Sequence, residues 1–327
     1  MRCFTISSRR PARRPRPDPR FRQTRMQQTR FETLLYGKDA RNPRIARITL
    51  NRPDRLNAIS PAMPGEIRRA VQLANDDDEV HVIVVQGAGR AFCAGYDMKE
   101  SAESPHAHEW LQNEMPWDPM VDYKWMKGAT DDIMSLWRSH KPTICRVQQY
   151  AVAGGSDIAL SCDLLVMETT ARIGYMPARV WGCPTTAMWL YRVGMQRAKR
   201  LLLTGDTIDG ATAKEWGLAI DAVPPEQLDA AVDALADRIS GVPRGQLMMQ
   251  KLMINQAYEN MGLATTQMIA TVFDGITRHN PEGMWFRAHA AAHGFHSAVQ
   301  WRDSGRPIPE GDEARRLAQE MRKEQGE

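Results

Sequence analysis

Val80–Asp97 reads VHVIVVQGAGRAFCAGYD, and its first eight residues, VHVIVVQG (80–87), decide the fold class. A strand with one wet face alternates apolar and polar residues. This one is apolar almost throughout, the pattern of a parallel strand covered on both sides. It runs into a turn of glycines and small residues, Gly87-Ala88-Gly89-Arg90-Ala91-Phe92-Cys93-Ala94-Gly95-Tyr96-Asp97. Such a turn bends sharply and can present backbone N–H groups to a ligand. It lacks the Lys-Ser/Thr ending of a phosphate loop and the G-x-G-x-x-G spacing of a dinucleotide site. Taken alone, a glycine turn after a strand is more often only a turn.

Upstream, IARITL (45–50) reads as a strand ending at Asn51-Arg52-Pro53-Asp54. Ser60 is placed to cap a helix with Pro61 at its first position, and Ile67, Ala70, Val71 and Ala74 form its apolar stripe. Downstream come a helix over about 129–139, a strand TICRVQ (143–148), a short helix Gly154–Ser161 and a strand DLLVME (163–168). Strand, crossover helix and strand in succession predict an α/β fold. No further strand is expected after about residue 185. Helices are predicted over Ala187–Leu203, Ala211–Trp216, Leu228–Ile239, Gly245–Asn260 and Leu263–Ile276. The end, 310–327, has six acidic and four basic residues and is expected to be a solvated helix or frayed tail.

The chain has 327 residues, 43% of them apolar, which excludes a disordered or collagen-like chain. Its net charge of +4 is unevenly spread. Residues 1–25 carry nine arginines, one aspartate and four prolines, leaving 34 basic against 38 acidic side chains in the rest. The body therefore has no general attraction to a polyanion, and nucleic-acid binding is not expected outside that arm. The arm itself is expected to be disordered. It is an RNA-binding extension, an import presequence, or, as favoured here, an extension without a role ahead of Met26. Cys3, Cys93, Cys145, Cys162 and Cys183 are widely spaced, odd in number and form no C-x-x-C pair, which fits a reducing cytoplasm. No apolar run of about 18 residues offers a membrane span.

A second turn resembles the first. Strand 143–148 leads into Tyr150-Ala151-Val152-Ala153-Gly154-Gly155-Ser156-Asp157-Ile158-Ala159-Leu160. Two glycines open a short apolar helix with Asp157 in its first turn, where free N–H groups favour an oxyanion. Two such strand ends can converge on one carbonyl oxygen with Asp157 near enough to move a proton. On the residues alone, Asp157 is equally well a helix cap.

Four separated segments carry a resemblance: IARITLNRPDRLNAIS (45–60), VIVVQGAGRAFCAGYDMKE (82–100), AVAGGSDIALSCDLLV (151–166) and RAKRLLLTGDTIDGATAKEWGLAIDAV (197–223). The chain resembles the enoyl-CoA hydratase/isomerase (crotonase) superfamily over about residues 31–300. The resemblance implies a spiral of repeated β-β-α units with a C-terminal helical region. It divides the chain into the arm (1–25), an acyl-CoA-binding core (26–224), oligomerisation helices (225–300) and a charged tail (301–327). It further implies trimers or hexamers, a coenzyme A thioester as substrate, and no other cofactor or metal.

Carried onto this chain, the family's two oxyanion-hole amides belong to Tyr96 and Gly154, and its first catalytic glutamate maps to Asp157. Arg55, Leu56, Ala58, Ala94, Asp97 and Met98 are implied to contact CoA, with Ser101–Lys127 as the wall over the acyl group. The second family glutamate lies in a G-x-P-E segment. Here that stretch reads Gly174-Tyr175-Met176-Pro177-Ala178-Arg179, with Ala178 or Arg179 where the carboxylate belongs. Arg179 is expected in a surface salt bridge, the alternative being a contact with an acidic acyl substituent. Hydration of a trans-2-enoyl-CoA is the first expectation. Enoyl- or dienoyl-CoA isomerisation, thioester hydrolysis and a catalytically silent homolog are the alternatives. His289, His293 and His296 are spaced to share one helix face, expected to be a polar face or a subunit contact.

Overall fold

The computed structural model describes residues 28–97 and 117–325. The basic arm, Met98 and most of the 101–127 wall lie outside the described residues.

The chain opens with an antiparallel meander of β1 (Gln28–Arg30), β2 (Leu34–Lys38) and β3 (Ile45–Leu50). Helix α1 (Met63–Asp76) crosses to β4 (Val82–Gly87), parallel to β3 with Ile45 opposite Val82. Helices α2 (Pro119–Ile133) and α3 (Ser135–Arg138) lead to β5 (Thr143–Val147). A short β6 (Tyr150–Val152) and α4 (Gly154–Leu160) precede β7 (Leu164–Glu168). Next come β8 (Arg172–Gly174), α5 (Met188–Thr204), β9 (Thr207–Asp209), α6 (Gly210–Glu215) and β10 (Asp221–Val223). The larger sheet runs β1-β2-β3-β4-β5-β7-β10, and β6-β8-β9 form a smaller one. The C-terminal part is helical: α7 (Leu228–Ser240), α8 (Arg244–Asn260), α9 (Leu263–His279), α10 (Pro281–His293), α11 (Phe295–Asp303) and α12 (Gly311–Gln325).

The unbroken apolar run of β4 is explained by burial on both faces. Ile83 and Val85 join Ile48, Val147, Leu165 and Met167 in the main core, with Ile67 and Val71 of α1. Val82 and Val84 face the other way and pack with Ile45, Ile144 and Val166 beneath Leu228, Val232 and Ala236 of α7. Helix α7, at the start of the C-terminal helical region, thus covers one face of the sheet.

Several expectations need correction. Helix α1 begins at Met63 rather than Pro61 and has no side-chain cap. Residue 59 is held extended by bonds between Ile59 and the Gly95–Asp97 turn, at 2.8 and 2.9 Å, so the chain cannot coil until past Ser60. Helix α2 starts well before residue 129, where Asp118 caps the amides of Met120 and Val121. Two strands do follow residue 185, but β9 and β10 have three residues each, too few to show a period. Gly294, at φ +86°, separates α10 from α11, so His296 does not share a helix with His289 and His293. The charged tail is no frayed end: Ala314 and Ala318 are buried, with Leu317 and Met321 packed beside them against Trp285 and Phe286. Those four form an i, i+3, i+4, i+7 stripe inside a charged run.

Helices α8 and α9 are amphipathic in the inverted sense. In α9 the buried positions include Gln267, Thr271, Asp274 and Arg278, while Met268, Ile269, Val272, Phe273 and Ile276 are exposed. In α8 Lys251 and Asn255 are buried, and Met249, Met253 and Ile254 are exposed. The buried polar groups have partners. Lys251 Nζ lies 2.8 Å from an Asp163 carboxylate oxygen, and Asn255 Nδ2 donates to Trp137 O at 2.9 Å.

Candidate active site

The two glycine turns lie against each other. Cys93 N donates to Tyr150 O at 2.9 Å and Val152 N to Cys93 O at 3.1 Å, zipping the first turn to β6. Gly95 has φ +93°, a conformation natural to glycine, and a Cβ there would come within 2.8 Å of Ala153 Cβ and 3.4 Å of Gly154 N. Gly155 is needed for space, since its Cβ would sit 2.3 Å from Cys93 O. Ala153, not a glycine, also takes positive φ (+51°) and turns the chain into α4, with its own N–H donated to Gly174 O at 2.9 Å. Such strain outside glycine costs about 1–3 kcal/mol and marks a backbone held for a purpose. Among the described residues, the amides of Tyr96 and Gly154 make no hydrogen bond, while their neighbours Asp97 and Ala153 do.

Both residues line a cavity of about 290 Å³ together with Ala94 and Asp157. Asp157 is 4% exposed and accepts a short hydrogen bond from the Thr186 hydroxyl. Gln267 of α9 steadies that threonine by donating to Thr186 O at 2.9 Å. Burial pushes the Asp157 carboxyl up from 3.8 to about 7. The Thr186 hydrogen bonds oppose this and the charge of Asp274 adds to it. A carboxyl held there accepts and releases protons near neutrality.

No carboxylate stands at Ala178 or Arg179. Ala178 is partly buried against the main core, and among the described residues Arg179 makes no salt bridge. Its Nε donates to Arg302 O at 2.5 Å and its Nη1 to Thr204 O at 3.0 Å, so it satisfies carbonyls near the ends of α11 and α5. The cavity instead contains a carboxylate from elsewhere. Asp274 of α9 is 5% exposed and lines the same space. Its Oδ1 accepts Cys183 N at 3.0 Å, and its Oδ2 lies 3.2 Å from Arg278 Nη2. Arg278 also reaches both oxygens of Asp122 at 2.9 Å. Burial raises the Asp274 carboxyl above the usual range, against the pull of Arg278 and of the Cys183 amide. Asp274, Thr186 and Gln267 were missed from the sequence. The available signal was the polar stripe Gln267, Thr271, Asp274, Arg278 along an otherwise apolar helix.

Thr185, Arg278, Arg302 and Asp303 also line the cavity, with Asp303 paired to Arg302 at 2.6 Å, and the remaining lining is mostly apolar. Trp125 and Met126 come from α2, inside the anticipated wall, but Trp181, Phe286, Phe295 and Val299 come from segments not anticipated there. Tyr175 also lines the cavity, with its hydroxyl donated to Cys183 O at 3.0 Å.

The residues assigned to CoA are only partly brought together. Ala94 lines the cavity, and its amide donates to Leu56 O at 3.1 Å, linking it to the 52–58 turn. Leu56 takes a left-handed conformation in that turn, Ala58 is buried, and Arg55 is exposed. The Asp97 carboxylate is buried against Arg52 at 3.0 Å, and Arg52 in turn donates to Ala58 O at 2.7 Å. Asp97 therefore braces the turn against the loop.

Comparison with known proteins agrees with this fold. The profile of the enoyl-CoA hydratase/isomerase family matches residues 40–286. The chain belongs to that family. Its fold is similar to a crystal structure of an enoyl-CoA hydratase from Mycobacterium smegmatis, 48% identical with a TM-score of 0.78, over 84% of this chain and 94% of that one. An enoyl-CoA hydratase/isomerase from Xanthobacter autotrophicus Py2 is 28% identical with a TM-score of 0.75, over 85% of this chain and 100% of that one. In sequence, the chain is 31% identical over 237 residues to the "Probable enoyl-CoA hydratase echA8" of Mycobacterium bovis, covering 70% of this chain and 84% of that protein. The repeated β-β-α units and C-terminal helices are those of the crotonase architecture. No helix among the described residues is long and apolar enough to cross a membrane.

Proposed function

We propose that the protein adds water reversibly to the double bond of a trans-2-enoyl-CoA. The observation that carries this reading is the pair of unpartnered amides, Tyr96 and Gly154, in abutting turns beside the buried Asp157. When water adds at Cβ, negative charge gathers on the thioester oxygen. Two prealigned N–H donors stabilise that enolate, each worth roughly 3–4 kcal/mol. Asp157 lies in the same cavity with a carboxyl that changes protonation near neutrality, and it directs or deprotonates the water. The relatives named as enoyl-CoA hydratases support the choice of hydration over other enolate chemistries.

In this reading the 52–58 turn and Ala94 guide the CoA arm, and Trp125, Trp181, Phe286 and Phe295 receive an apolar acyl group. The exposed apolar stripes of α8 and α9 are covered by further copies of the chain, giving a trimer or hexamer. Light scattering behind size exclusion checks the assembly; a monomer at micromolar concentration contradicts it. The reaction is tested with a panel of CoA thioesters followed for hydration, double-bond migration and thiol release. Hydration of 2-enoyl substrates is expected. Migration alone from 3-enoyl substrates, or thiol release alone, overturns the reading.

A further inference from the structure

We infer that Asp274 is the second acid–base group of this cavity, handling the proton transfer that Asp157 does not. The inference rests on the hydration reading for its reaction but on geometry for the pair. Asp157 and Asp274 come from α4 and α9, line one cavity and are both almost wholly buried. The stretch that would otherwise supply a carboxylate offers Ala178, partly buried against the core, and Arg179, committed to two backbone carbonyls. Asp274 is held in place from two sides, by the Cys183 amide and by Arg278.

The charges around the pair leave one carboxyl inclined to stay protonated. Asp274 lies beside Arg278 on its own helix, Asp122 from α2, and Tyr175, Tyr96 and Cys183 from the surrounding turns; its charge reaches Asp157 of α4, and Arg302 and Asp303 of α11 line the same cavity. Among the described residues, the Arg278 guanidinium pairs with Asp122 and Asp274. Burial raises both carboxyls and the charge of Asp274 raises Asp157 further, which favours a state with one of them protonated. The ionised member removes a proton from water as the water oxygen bonds to Cβ. The π electrons move toward the thioester oxygen, where the two amides hold the enolate. The protonated member then gives its proton to Cα as the carbonyl re-forms. One H and one OH have been added, the two carboxyls have exchanged protonation states, and exchange with solvent resets them.

Two measurements on the full-length protein decide the matter. In the first, Asp274→Asn and Asp274→Glu are compared with wild type on a 2-enoyl-CoA across pH. The asparagine variant should lose roughly 10²–10³-fold in kcat, with KM changed less than about threefold. It should also lose one limb of a bell-shaped pH profile, and the glutamate variant should recover part of the loss. In the second, the aspartate carboxyls are followed by carbon-13 NMR. The Asp157 carboxyl, titrating at about 7 in the wild type, should move to lower pH in Asp274→Asn. Unchanged kcat with both limbs retained overturns the inference and leaves the hydratase reading standing. A loss of kcat that comes with a matching loss of folded protein and an unmoved Asp157 titration also overturns it, since Asp274 would then be only a brace for Cys183 and Arg278. If the wild type hydrates no thioester, the functional reading fails, and the NMR titration alone decides: a shifted Asp157 upholds the pair and an unshifted one ends it.

Discussion

Replacing Asp157 with asparagine should make the protein more stable while sharply slowing its chemistry, and the gain should depend on pH in a defined way. Burial, with the charge of Asp274 assisting and the Thr186 hydrogen bonds opposing, raises the Asp157 carboxyl from 3.8 to about 7. For an acid whose folded-state pKa is raised, the stability contribution is complete below the unfolded value and is lost as pH climbs through the folded one. At about 1.4 kcal/mol per pH unit, a rise of roughly three units means that keeping Asp157 ionised at pH 8 costs the native state about 4 kcal/mol. Asparagine has nearly the same shape, can still accept the Thr186 hydroxyl through Oδ1, and carries no such cost. Urea unfolding at pH 5, 6, 7 and 8 measures the difference. The gap between variant and wild type should widen by about 1.4 kcal/mol per unit up to pH 7 and then level off. Hydration should fall at least about 10²-fold at every pH. Parallel stability curves would refute the buried, proton-exchanging carboxyl.

Other perturbations probe the surroundings. Gly154→Ala places a Cβ 2.8 Å from the Tyr96 ring. Turnover should drop by about 10²-fold as one oxyanion donor shifts, while circular dichroism stays native. Arg179→Ala leaves Thr204 O and Arg302 O without their donor; chemical unfolding should show a loss of about 1–3 kcal/mol, with kcat per folded molecule little changed. Phe295→Ala opens the acyl end of the cavity, where Phe295 is already 43% exposed. It should move the best kcat/KM toward longer acyl groups, with Tm changed little, as a chain-length series would show.

Much of this was legible in the sequence because it is local. The apolar run 80–87 reads best as a strand covered on both sides, and the glycines at 95, 154 and 155 announce a close approach of backbone that the structure realises at Cys93 and Ala153. Asp157 stands out because it follows such a run. Asp274 was hidden by the inversion of its helix. A polar stripe reads as the wet face of an isolated helix, and only tertiary packing turns Gln267, Thr271, Asp274 and Arg278 inward. Arg179 was misread for the same reason. Its partners lie 25 and 123 residues away in the chain, and a lone arginine in a turn gives no hint of carbonyls waiting at two helix ends. The tail helix α12 was misjudged because its four apolar residues are outnumbered by charges, although their spacing already described a buried stripe.

The most direct test of the chemistry is a crystal structure of the protein with a bound acyl-CoA thioester. The thioester oxygen should lie about 2.7–3.1 Å from both backbone nitrogens, Tyr96 N and Gly154 N, with Cα and Cβ turned toward Asp157. A thioester whose oxygen meets neither nitrogen, or whose acyl carbons leave the cavity away from Asp157, would contradict it.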